Sequence, residues 1–190
     1  KRERVTSYAV NPKAVARAEQ LIDARQYVLN SEWGNVQPKA ADENAYLIWQ
    51  TGAKYYDSVR ASVEEHPRLR LLKYLERMVL AYAASDLVLC RAGAITCSEL
   101  MVTGTPAVLV PSPNVTADHQ TKNARSMELA GAAVLLPEAR LEADLVNQVQ
   151  GLLNDEKKRR AMSEADRKIA RPDAADRIAQ DAISLARRRR

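Results

Sequence analysis

Short runs of consecutive apolar residues alternate along this chain with longer stretches in which apolar positions recur every three or four residues. The runs have strand length: Tyr46–Gln50, Leu69–Leu72, Leu87–Cys90, Ala107–Val110 and Ala133–Leu136. The longer stretches predict helices over Tyr55–Glu65, closed by Pro67, and over Glu76–Ala84, where Met78, Val79 and Tyr82 share one side. Further helices are predicted over Ala94–Val102, Thr121–Ala130, Glu142–Leu153, Glu156–Ala170 and Ala174–Leu185. Upstream, one helix is expected from Pro12, capped by Asn11 and running through Ala14, Val15, Ala18, Leu21 and Ile22. Ser31–Asn44, with Gly34, Pro38 and many polar residues, reads as loop or linker. The chain thus divides into residues 1–44, a helix and linker, and residues 45–190, one regular domain.

Strands without polar alternation are buried on both faces, and amphipathic helices between them supply the cover. The expectation is an α/β fold, a doubly wound parallel sheet. Ligands in such folds bind beyond the carboxyl ends of the strands, where the strand order switches. The loops after Leu72, Cys90 and Val110 are therefore the places to seek chemistry. No internal repeat is visible.

Composition narrows the class. Of 190 residues, 46% are hydrophobic and 28% charged, which excludes wholesale disorder and collagen-like repeats. The longest uncharged run, Leu100 to Ala117, is broken by Gly104, Pro106, Pro111 and Pro113, so it is no transmembrane helix. Lys1–Arg4 leads into polar sequence rather than an apolar core, so no secretory signal is expected. Cys90 and Cys97 cannot build a disulfide framework; small buried hydrophobes in an intracellular setting is the reading. The net charge of +5 is concentrated at the ends, in Lys1, Arg2, Arg4 and Arg187–Arg190. These clusters are either solvated tails or contacts to anionic lipid head groups, each worth about 1 kcal/mol near such a surface. Interior basic residues are interleaved with acids and lack an aromatic stacking pattern, so nucleic acid is not expected as a partner.

Two segments could carry chemistry. Arg91-Ala92-Gly93-Ala94-Ile95-Thr96-Cys97-Ser98-Glu99 leaves a strand, turns at Gly93 and enters a helix. The amides of Ala94, Ile95 and Thr96 then project from the helix start, which suits a phosphate. Thr96 and Glu99, three apart, share a face, and a carboxylate there could accept hydrogen bonds from both hydroxyls of a ribose. The competing reading is a tight strand-to-helix turn with a solvated glutamate. The second segment is Pro111-Ser112-Pro113-Asn114 followed by Asp118-His119-Gln120-Thr121-Lys122-Asn123. Asp118 is the expected N-cap, placing His119 and Gln120 in the first turn of a helix that faces the same cleft. Imidazole and amide groups suit sugar hydroxyls, and a merely capped surface helix is the alternative. His66 and His119 lie far apart and neither has zinc-ligand spacing, so no metal and no cofactor are expected. The Gly-Lys-Ser/Thr phosphate loop is also absent.

The string from Tyr82 to Leu100 resembles the donor-binding half of the MurG family of peptidoglycan glycosyltransferases. Further matches are Ile48–Gly52, Pro111–Asn114, Asp118–Ala124, Ala130–Ala133 and Pro172–Ala175, covering roughly residues 45 to 186. The resemblance implies the Rossmann-like C-terminal lobe of a GT-B glycosyltransferase. It implies inverting transfer of GlcNAc from UDP-GlcNAc to a lipid-linked muramoyl-pentapeptide, by a cytoplasmic protein lying peripherally on the inner face of the cell membrane. By position, Glu99 would hold the ribose and the helix start at Gly93–Ala94 would face the α-phosphate. Ile95 and Thr96 would line the diphosphate and sugar side, and the Leu75 main chain with Tyr74 and Met78 would frame the uracil. His119 and Gln120 would contact the GlcNAc hydroxyls, with Asn123 supporting their loop. The family's Gly-Gly-Ser diphosphate loop is not found upstream of Tyr46. Its general base belongs to an acceptor lobe for which this chain has no room, so no catalytic residue is assigned here. The alternatives are the soluble donor-binding subunit of a split GlcNAc transferase and a non-catalytic UDP-sugar-binding module.

Overall fold

The carboxyl ends of six parallel strands lie in one row. Asn30 pairs in register with both Gln50 and Cys90, Gln50 with Leu72, Cys90 with Leu109, and Leu109 with Leu135. The computed structural model describes residues 25–30, 45–63, 65–113 and 115–188. The strands are β1 (Arg25–Asn30), β2 (Ala45–Gln50), β3 (Leu69–Leu72), β4 (Leu87–Cys90), β5 (Ala107–Leu109) and β6 (Ala133–Leu135). Their spatial order is β3-β2-β1-β4-β5-β6. From β1 at the centre the described strands wind outward to β3, return across β1 and wind outward again to β6. The switch in direction falls between β1 and β4, where a doubly wound sheet opens its ligand crevice.

Seven α-helices among the described residues accompany the sheet. They are α1 (Ala53–Ser62), α2 (Met78–Ala84), α3 (Ala94–Thr103), α4 (His119–Leu129), α5 (Leu141–Asn154), α6 (Glu156–Ile169) and α7 (Ala174–Arg188). Successive strand residues point to opposite faces, and the core divides accordingly. Leu87, Leu89, Val108 and Val110 pack with Val59 of α1, Met162 of α6 and Leu141, Leu145, Val149 and Leu152 of α5. Val88, Cys90, Ala107 and Leu109 pack on the other face with Tyr82 of α2, Cys97 and Leu100 of α3, and Ala124 and Met127 of α4. Helix α6 serves both layers, because Ala165 and Ile169 pack against the second cluster. The expected doubly wound α/β fold is thus the observed one, with five of its strands at the expected places.

The sixth strand is a correction. The expected boundary at residue 45 cuts through the sheet, since β1 sits at residues 25–30 between β2 and β4. Its sequence, Arg-Gln-Tyr-Val-Leu-Asn, holds only three consecutive apolar residues between polar ones. Pairing on both sides, rather than local pattern, makes it a strand. The expected helix from Pro12 to Ile22 and the expected loop Ser31–Asn44 lie outside the described residues. No helix among the described residues is long and apolar enough to cross a membrane.

Candidate functional site

Helix α3 begins at the carboxyl end of β4, beside the switch point. Gly93 is its N-cap, with φ −64° and ψ 148°, and no side chain caps this end. The first helical bond runs from Cys97 N–H to the Gly93 carbonyl at 2.9 Å. The amides of Ala94, Ile95 and Thr96 precede it, so the helix start offers donors and a positive dipole end. The first turn carries no acidic residue to oppose an anion. Gly93 itself needs no special backbone conformation, and a Cβ there would meet only Thr96 Oγ1 at 3.7 Å. Its small size therefore leaves room above the helix start rather than relieving strain.

Cys97 and Leu100 bury one side of α3, leaving Thr96 and Glu99 half-buried on the other. Partial burial raises the Glu99 carboxyl above its ordinary value. Ala94 is exposed, and Ile95 is 77% exposed. An apolar side chain this open has no packing role among the described residues.

Helix α4 supplies the second half. His119 is its first residue and is exposed. Asp118 occupies the N-cap position but does not cap, contrary to expectation. Its backbone is left-handed (φ 52°, ψ 34°), as is that of Ala117, and its carboxylate accepts no bond from the helix. N-capping needs an extended backbone that swings the side chain over the first turn. Gln120 Oε1 accepts the Ser112 amide at 2.9 Å, which ties α4 to the proline-rich loop after β5 and leaves the NH2 end of that carboxamide to offer. Asn123 Nδ2 donates to the Ala92 carbonyl at 3.0 Å, joining α4 to the turn that precedes α3.

The third group lies in the loop after β3. Leu75 N–H donates to Gln50 Oε1 at 2.7 Å, so that amide is already engaged. Leu75 and Met78 pack against the cluster that also holds α3, whereas Tyr74 is 74% exposed. Leu75 and Met78 are therefore shared between core and rim, while Tyr74 stands open.

Sequence reasoning missed the residues that brace these segments. Arg91 Nη1 donates to the carbonyls of Val110 and Pro111, each at 3.3 Å, and pairs with Glu138 Oε2 at 2.5 Å. Glu138 stands 47 positions away in a 3-10 turn after β6. Such a pair leaves no spacing signal. Among the described residues, no group of three or more His, Cys, Asp or Glu is placed to hold a metal ion.

A parallel sheet in the order β3-β2-β1-β4-β5-β6, with an uncapped helix start beside its switch point, is a Rossmann-like fold, and its likeness to a solved GT-B glycosyltransferase makes it the C-terminal lobe of that class. Within that class the chain belongs to the Glycosyltransferase family 28 C-terminal domain family, which matches residues 24–178. It is 58% identical over 155 residues to the UDP-N-acetylglucosamine–N-acetylmuramyl-(pentapeptide) pyrophosphoryl-undecaprenol N-acetylglucosamine transferase of Salinibacter ruber, covering 82% of this chain and 42% of that protein. The enzyme of the same name from Chlorobium limicola is 46% identical over 149 residues, 78% of this chain and 41% of that one. Among solved structures, Acinetobacter baumannii MurG superposes with a TM-score of 0.72 at 27% identity, over 83% of this chain and 51% of that chain. The glycosyltransferase VinC, crystallised with dTDP, shares the fold at 15% identity and a TM-score of 0.65, over 79% of this chain and 38% of its own. The resemblance to the MurG family is thus carried by the whole matched segment. This chain spans about two fifths of the length of the curated relatives it matches.

Proposed function

We propose that this chain forms the UDP-GlcNAc site of a MurG-type transferase that passes GlcNAc to a lipid-linked muramoyl-pentapeptide. The observation that carries the reading is the open start of α3 at the switch point, with the half-buried Glu99 carboxylate one turn further on. The helix start at Gly93, Ala94, Ile95 and Thr96 receives the diphosphate. Charge that grows on the departing UDP is met there by fixed amides and the helix dipole, which need no reorganisation when the bond breaks. Glu99 accepts hydrogen bonds from the ribose hydroxyls. Tyr74, Leu75 and Met78 border the uracil, and His119 and Gln120 contact the sugar, with Asn123 holding their helix in place. The general base and the acceptor surface come from outside the residues of this chain.

The names of its relatives support the donor and the acceptor. A lipid-linked acceptor also places the protein peripherally on the inner face of the cell membrane, where the basic end of α7 meets anionic head groups. Calorimetric titration with UDP-GlcNAc, UDP-glucose and UDP tests the reading. UDP-GlcNAc binds the chain, and Glu99→Ala weakens binding by about 2–4 kcal/mol, the loss of two hydrogen bonds to a charged group. Absence of binding by the unaltered chain, or equal binding by Glu99→Ala, would overturn it.

A further inference from the structure

Two consecutive residues of the turn between β4 and α3 hold the elements that carry His119 and Gln120. Arg91 grips the carbonyls of Val110 and Pro111 and is itself held by Glu138. The Ser112 amide, in the same peptide unit as the Pro111 carbonyl, donates to Gln120 Oε1. Three residues further along α4, Asn123 returns to the Ala92 carbonyl. The bonds close a ring: Arg91 to the β5 loop, the loop to Gln120, α4 to Asn123, and Asn123 back to Ala92. The start of α3 lies on one side of the ring and the start of α4 on the other.

We propose that Arg91 is a positioning residue that fixes the sugar-facing amide of Gln120 relative to the phosphate-facing start of α3, and so sets selectivity for the hexose part of the donor. The proposal rests on the donor-site reading above. Two features of Arg91 suit the task. Its Nη1 alone meets two carbonyls and a carboxylate, at the tip of a long side chain whose planar end group holds that nitrogen in a set orientation. Glu138 fixes that plane, because the paired side chains are only 26% and 39% exposed. Methionine at position 91 keeps an unbranched side chain but removes every donor and the charge. Without the grip, Pro111 and Ser112 shift, Gln120 loses its fixed partner, and its free NH2 end no longer stands at a set distance from the diphosphate. The uridine side of the site, at Leu75 and Glu99, is untouched by the ring.

The test uses the full chain with Arg91→Met and Glu138→Gln. In the ligand-free protein, amide hydrogen exchange at Ser112 quickens at least about tenfold in both variants, because its acceptor is no longer held. In calorimetry, affinity for UDP-GlcNAc falls about tenfold while affinity for UDP stays within about twofold. Parallel loss of UDP and UDP-GlcNAc binding would reveal a merely structural role and overturn the proposal, as would unchanged binding of both. Failure of the unaltered chain to bind either ligand would instead overturn the donor-site reading, and the selectivity claim with it. Unchanged Ser112 exchange would overturn the mechanical link even where binding changes.

Discussion

The Asn123 carboxamide donates to the main-chain carbonyl of Ala92, 31 positions away in sequence, at 3.0 Å, tying α4 to the turn before α3. Ala92 is fully buried, so solvent offers its carbonyl no replacement. A buried acceptor stripped of its partner costs about 1–3 kcal/mol. Asn123→Ala should therefore lower the melting temperature by about 2–4 °C for each kcal/mol lost, in a domain of this size. Asn123→Asp keeps the shape but cannot donate, and should cost at least as much. Thermal unfolding followed by circular dichroism checks both; an Asp variant as stable as the original would mean the bond is no anchor.

Glu99 gives the site a pH signature. Burial raises its carboxyl, so it takes up a proton at a higher pH than an ordinary glutamate does. The ionised form is the better acceptor for two ribose hydroxyls. Donor affinity should thus be full at neutral pH and fall as acid protonates Glu99, beginning above the ordinary carboxylate range. Glu99→Gln should abolish that dependence and bind weakly throughout. Titrations at several pH values, with uridine as a ligand lacking phosphate, isolate the ribose contribution.

Both cysteines should be inert in the folded chain. Cys90 is fully buried in β4 and Cys97 is 5% exposed on α3. Burial pushes the Cys90 thiol up, with Cys97 and Glu99 adding to the shift. Burial and the nearby Asp166 push Cys97 up to about 11. The reactive thiolate is therefore scarce at pH 8. A thiol reagent at that pH should label neither residue within minutes, and both at once in denaturant.

What the chain revealed in advance follows from the range of the interactions. Leu87–Cys90 and Ala107–Val110 were legible as strands because burial on both faces writes an unbroken apolar run. The start of α3 was legible because Gly93 follows an apolar run and marks the turn into a helix. β1 was hidden, since its three apolar residues become a strand only through pairing with β2 and β4. Asp118 misled because capping depends on a backbone angle, and the left-handed turn there is not written in the residue type. Arg91 and Glu138 meet only once the sheet has assembled.

Gly104 closes α3 with φ +64°, a left-handed conformation that costs a residue with a Cβ about 1–2 kcal/mol. A Cβ there would also lie 2.7 Å from Nε of Arg167. The guanidinium is the mobile end of a long side chain, so it can move aside at little cost. Backbone strain should then account for most of the loss in Gly104→Ala. Adding Arg167→Ala to that variant should restore little. Substantial rescue, measured by urea unfolding, would assign the loss to the contact instead.

Asp166 is costly to bury. It lies on α6 at zero exposure, and neither carboxylate oxygen has a hydrogen-bond partner among the described residues. Burial pushes its carboxyl up to about 8, with Arg167 opposing the shift. An unfolded aspartate releases its proton near 3.8. Between these values the folded chain keeps a proton that the unfolded chain has lost. Stability is therefore greatest below the lower value and declines as pH rises towards 8, by at most about 1.4 kcal/mol per pH unit. Above 8 both states are ionised and the decline stops. Asp166→Asn keeps the size without the titration, so its stability curve should be flatter over this window. Asp166→Ala removes the buried polar group and suits a helix interior. It should be about 1–3 kcal/mol more stable than the original at pH 7.5, with the gap narrowing towards pH 5. Urea unfolding at pH 5, 6, 7 and 8 decides the matter. Parallel curves for the original chain and Asp166→Asn would show that Asp166 holds no proton in the folded state.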